Sequence, residues 1–85
     1  MKQDYLNIAL LEAKKSAQAG EIPVGAVLVS ATGEIIAKSG NQCEATHDPT
    51  AHAEVLVIRE AAKKLGSVRL NECDLYVTLE PCAMC

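Results

Sequence analysis

At 85 residues and a formal net charge of −3, the chain is one small domain, and its charge argues against a basic nucleic-acid clamp. Almost half of it (49%) is hydrophobic, yet its aromatics are two tyrosines, which leaves a core built from Ala, Val, Leu and Ile. The early apolar run from Ile8 to Leu11 is too short for a signal peptide or a membrane span. Four cysteines without such a signal point to a reducing compartment, so cytoplasm is expected.

From Asp4 to Ala19, residues Leu6, Leu10, Ala13 and Ala17 fall at helical spacing, with Asp4 placed to cap the helix and Gly20 to end it. Val24–Val29, VGAVLV, is a short β-branched run that reads as a strand buried on both faces. SATG supplies a turn, and EIIAK reads as a second strand, completing a hairpin near Asn41. Asn41 to Thr50 reads as a loop.

Asp48-Pro49 has the form of an N-cap followed by Pro at the first helical position. Ala51, Val55, Ile58, Ala62 and Leu65 then trace an amphipathic helix closed by Gly66. In Asp74–Leu79, DLYVTL, the alternation of Leu75, Val77 and Leu79 predicts a third strand, and Pro81 would open a further helix. The basic pairs Lys14–Lys15 and Lys63–Lys64 read as solvated helix faces. The order helix, strand, strand, helix, strand, start of helix predicts an α/β sandwich with helices on the faces of a sheet.

Two stretches carry chemistry: TAHAE, with His52 and Glu54, and PCAMC, with Cys82 and Cys85. One imidazole and two thiolates supply three zinc ligands and leave a fourth position for water, the arrangement of a catalytic site. Each stretch opens a predicted helix, where backbone N–H groups favour negative charge and lower thiol pKa values. Glu54 lies two residues past His52, about 200° around a helix. From the first turn it can take a proton from water and deliver it to a leaving amine. The joint pattern H-x-E and P-C-x-x-C is an established signature of zinc deaminases that act on nucleobases.

EIPVGAVLV, HDPTAHAE and LYVTLEPCAMC together resemble the bacterial tRNA-specific adenosine deaminases of the cytidine deaminase-like superfamily, over nearly all 85 residues. The resemblance implies a three-layer α/β/α sandwich that converts wobble adenosine to inosine in a tRNA anticodon. By it, His52, Cys82 and Cys85 hold one Zn2+ per chain, Glu54 shuttles the proton, Val24 and Asn41 line the base pocket, and the Ala53 backbone helps to position the base. It also implies a homodimer, and a longer chain of which these residues are the N-terminal part, truncated at the second cysteine.

Other readings stand beside this one. A free-base or nucleotide deaminase, acting on guanine or cytosine, shares the metal motif, though PVGAV and TLEPCAMC look closer to the tRNA enzymes. A non-catalytic zinc module would use His47 with His52 and the two cysteines. Cys43 and Cys73 read as buried or incidental thiols. Asn41 serves a strand end or a pocket equally well, and Val24 is a buried strand residue in either case.

Overall fold

The computed structural model describes residues 2–66 and 72–79. Six elements follow one another: α1 (Lys2–Gln18), β1 (Val24–Val29), β2 (Ile35–Gly40), α2 (Cys43–Thr46), α3 (Ala53–Leu65) and β3 (Asp74–Leu79). The sheet has the order β2-β1-β3, and β1 pairs antiparallel with both neighbours. β2 and β3 therefore run parallel to each other on either side of β1, as expected for a crossover through α3. The bounds of β1 and β3 are those predicted from their patterns.

β1 is buried on both faces because a helix covers each one. Ala26 and Leu28 pack with Ala53, Val57 and Ala61 of α3, while Val27 and Val29 pack with Ala9 of α1 and with Tyr5, Ile8 and Tyr76. The layers are α1, sheet, α3. Most buried hydrophobics are alanines, so the layers lie close together. Gly25 and Gly40 are cross-strand partners beneath α1. A Cβ on Gly25 would overlap the Ala9 carbonyl and the Ala13 amide, and one on Gly40 would overlap the Ser16 hydroxyl. Two glycines thus let the helix rest on the sheet.

The helix faces differ from the periodic sets read in the sequence. α3 buries Ala53, Val57 and Ala61, whereas Ile58 and Leu65 of the expected stripe are exposed. α1 buries Ala9, Ala13 and Ser16, and leaves Leu6 and Ala17 outside. Close helix–sheet contact selects the small side chains in both cases. The expected face of β3 is also open: Leu75, Val77 and Leu79 are 42%, 40% and 58% exposed. They lie on the α3 side of the sheet, but α3 covers β1 and β2 and meets β3 only marginally.

Local chemistry explains further details. α1 begins before Asp4, which sits in its first turn and is not its cap. Gly33 closes the β1–β2 turn at φ 89°, and its carbonyl accepts the Tyr5 hydroxyl at 2.8 Å. Tyr5 in turn stacks on Tyr76 with ring centroids 5.3 Å apart, joining α1, the hairpin and β3. The register of β1 and β2 shifts between Leu28 and Val29, leaving Ile36 outside the regular pairing. Lys63 and Lys64 are exposed, as the sequence reading expects, and Lys64 also donates to the Ile36 carbonyl at 2.8 Å at the β2 edge of the sheet. No helix among the described residues is long and apolar enough to cross a membrane.

Candidate functional site

The segment between β2 and α3 carries more structure than the predicted loop. α2 forms a single turn over Cys43–Thr46, capped by His47 in the left-handed region at φ 53°. Asp48 does not start the long helix. Its carboxylate accepts the Thr50 amide at 2.9 Å and the Thr50 hydroxyl at 2.7 Å, and its carbonyl accepts the Ala51 amide. Pro49 is therefore the second residue of a tight turn, a place its fixed φ suits. The hydroxyl of Thr50, then its amide, hold the Asp48 carboxyl below its ordinary range against the opposing effect of burial, with smaller help from Arg59 and His52.

α3 starts later, with His52 as its N-cap in an extended conformation (φ −76°, ψ 149°) and without a side-chain capping bond. Capping normally falls to a Ser, Thr, Asp or Asn at this position. Here Asn41 takes over: its side-chain carbonyl accepts the Ala53 amide at 2.7 Å in a buried bond. The His52 imidazole, on an exposed residue, is thereby spared capping duty. Glu54 follows in the first turn of α3, half-buried, where the helix terminus favours a carboxylate.

Asn41 is the hub of this corner. Its amide donates to the Val24 carbonyl at 3.1 Å, and its own carbonyl accepts the Ser16 hydroxyl at 3.0 Å. Val24, half-buried at the start of β1, pairs across the sheet with Leu79, the last residue of β3. The fold thus gathers Val24, Asn41, His52, Ala53 and Glu54 at one end of the sheet, the end toward which β3 runs. Cys82 and Cys85 lie outside the described residues. Among the described residues no three His, Cys, Asp or Glu side chains are grouped to hold a metal ion, and His52 is the one expected ligand they include. The donor set fits zinc by its chemistry, since imidazole nitrogen and thiolate sulfur are its preferred ligands.

Sequence reading missed Glu21. This residue is 7% exposed, and its carboxylate accepts the amides of Glu44 and Ala45 at 2.9 and 2.8 Å. Its one outward sign is an acidic residue placed between a helix stop and a buried strand. Cys73 packs at the margin of the α3-side core, and the Cys43 thiol lies 3.8 Å from the Pro49 carbonyl.

Comparison with known proteins places this geometry. The family model of the cytidine and deoxycytidylate deaminase zinc-binding region matches residues 1–85. The tRNA-specific adenosine deaminase of Aquifex aeolicus is 54% identical over 84 residues, covering 99% of this chain and 55% of that protein. That of Bacillus subtilis is 55% identical, covering 100% of this chain and 53% of its own length. The chain therefore spans about half the length of the curated relatives it matches. A solved structure from a study of A-to-I editing by tRNA:A34 deaminases at the wobble position superposes with a TM-score of 0.87. It is 51% identical and covers 98% of this chain and 59% of that one. The guanine deaminase of Bacillus subtilis superposes at 0.83 with 45% identity, covering 96% of this chain and 52% of its own.

Proposed function

This chain belongs to the family of the cytidine and deoxycytidylate deaminase zinc-binding region and has the cytidine deaminase fold; from that premise we propose that the protein deaminates wobble adenosine to inosine in tRNA. The observation that carries this reading is the corner where Asn41 ties the end of β2 to the helix start bearing His52 and Glu54. Likeness at 54–55% identity to tRNA-specific adenosine deaminases supports the choice of substrate.

In this reading His52, Cys82 and Cys85 hold one zinc ion. When bound, zinc would supply a water acidified to a pKa of about 7, so that hydroxide is available near neutral pH. Glu54 would accept a proton from the attacking water and return it to the departing nitrogen. In balance, water adds at C6, the C6–N bond breaks, ammonia leaves and a carbonyl remains. Val24 and the Asn41 side chain bound the base, and the Ala53 backbone helps to orient it. Residues 1–85 act as a zinc-dependent nucleoside deaminase domain of a cytoplasmic homodimer whose macromolecular partner is a tRNA anticodon loop.

Guanine deamination is the second reading, favoured by the superposition on the Bacillus subtilis enzyme at 45% identity. Depleting the gene in its host and sequencing tRNA separates the two. Loss of inosine at the wobble position supports the tRNA reading, and retention of inosine there contradicts it.

A further inference from the structure

Glu21 presents a problem that the reaction does not solve. A carboxylate removed from water costs several kcal/mol unless its lone pairs are well satisfied. Glu21 meets that condition with two backbone amides, Glu44 on one oxygen and Ala45 on the other. Both donors belong to α2, a single turn that contains no buried residue. Apolar packing therefore does not hold this turn against the body of the protein. Gln42, its N-cap, makes no side-chain capping bond either. A cleft of about 230 Å³, bordered by Glu12, Ser16, Glu21, Asn41, Gln42 and Ala45, separates the turn from α1.

The backbone of Glu21 is itself fixed, since its amide donates to the Ser16 carbonyl at 2.9 Å. Ser16 also anchors Asn41. The loop from Gln42 to Ala51 is closed at its base by the Gln42 amide on the Ala51 carbonyl at 2.9 Å. Its first turn is tied down by Glu21. This loop connects Asn41 directly to His52, so it forms one border of the candidate site.

We propose that Glu21 is a positioning residue for substrate capture: its buried carboxylate holds the 42–51 loop as a preformed wall against the nucleotides that flank the reacting base. The proposal rests on the tRNA deaminase reading above. A wall of this kind touches the substrate equally before and during the chemical step. Its loss raises KM and leaves kcat in place.

The test compares wild type with Glu21→Gln and Glu21→Asp in the zinc-loaded native protein. Glu21→Gln keeps the size of the side chain and loses one acceptor and the charge. Expected are an increase in KM for tRNA of roughly tenfold, the scale of one charge-assisted hydrogen bond, a nearly unchanged kcat, unchanged zinc content, and faster hydrogen exchange at the Glu44 and Ala45 amides. Glu21→Asp, with its charge kept and its reach shortened, falls between the two and supplies a variant should the first fold poorly. Unchanged amide exchange in Glu21→Gln overturns the positioning role whatever the turnover. A fall in kcat at constant KM overturns it as well. A wild-type protein that converts no tRNA adenosine overturns the deaminase reading instead, and the amide exchange still decides whether Glu21 holds the loop.

Discussion

The side-chain carbonyl of Asn41 accepts the backbone amide of Ala53 at 2.7 Å, across twelve residues and out of contact with solvent. One residue thereby ends β2, caps α3 and sets where His52 and Glu54 begin their helix. Asn41→Ala leaves a buried amide without its acceptor and is expected to cost about 2 kcal/mol of stability, together with most of the activity. Asn41→Asp keeps the acceptor oxygen and loses the amide nitrogen. Thermal unfolding should show Asn41→Asp near wild type; if its turnover is nonetheless lost, the nitrogen contacts the base.

Gly25 and Gly40 make a second, purely steric prediction. A methyl group on Gly25 meets the backbone of α1, which cannot rotate away as a side chain can. Gly25→Ala should destabilise by about 3 kcal/mol. Gly66→Ala, whose Cβ meets nothing within 4 Å but whose φ is 64°, should cost only about 1 kcal/mol. Chemical denaturation of the two variants checks the order, and equal losses would refute close contact between α1 and the sheet.

The zinc assignment separates three residues by readout. Glu54→Gln should retain zinc and lose about 10²- to 10⁴-fold in turnover, the usual contribution of a general acid–base group. His52→Ala should lose the metal. His47→Ala should keep it, because His47 occupies an exposed left-handed cap of α2 that serves the turn. Metal analysis of the purified variants reads all three, and zinc lost from His47→Ala would favour the structural zinc module.

Acid should loosen the turn before α3. The Asp48 carboxyl is held below its ordinary value of 3.8, chiefly by the Thr50 hydroxyl. A depressed carboxyl stabilises the fold above its unfolded pKa, and that contribution disappears as pH falls through the lower native value. Thr50→Ala removes both the hydroxyl and the depression it causes. Titration followed by NMR at the Thr50 amide should show the Asp48 midpoint moving up in the hydroxyl-free variant; an unmoved midpoint would remove Thr50 as the main cause.

The legible parts of the fold were those written in local pattern. VGAVLV and DLYVTL gave their strand bounds correctly because β-branched runs and strict alternation leave few alternatives. The buried face of α3 was misread because periodicity favours large apolar residues, while contact with the sheet selected Ala53, Val57 and Ala61. Asp48-Pro49 was misread because turns and helix starts use the same residues. The proposed metal and proton groups rest on a motif in the sequence, of which the described residues include His52 and Glu54. The capping role of Asn41 leaves no local trace, and Glu21 shows only an acid between a helix stop and a buried strand, since all three bonds join residues distant in sequence.

The most direct measurement incubates the zinc-loaded native protein with a tRNA bearing wobble adenosine and, in parallel, with free guanine and free cytosine. Inosine at the wobble position, with ammonia released in equal amount and neither free base consumed, is the predicted result. Ammonia from guanine with the wobble adenosine intact would contradict the account and make the protein a free-base deaminase.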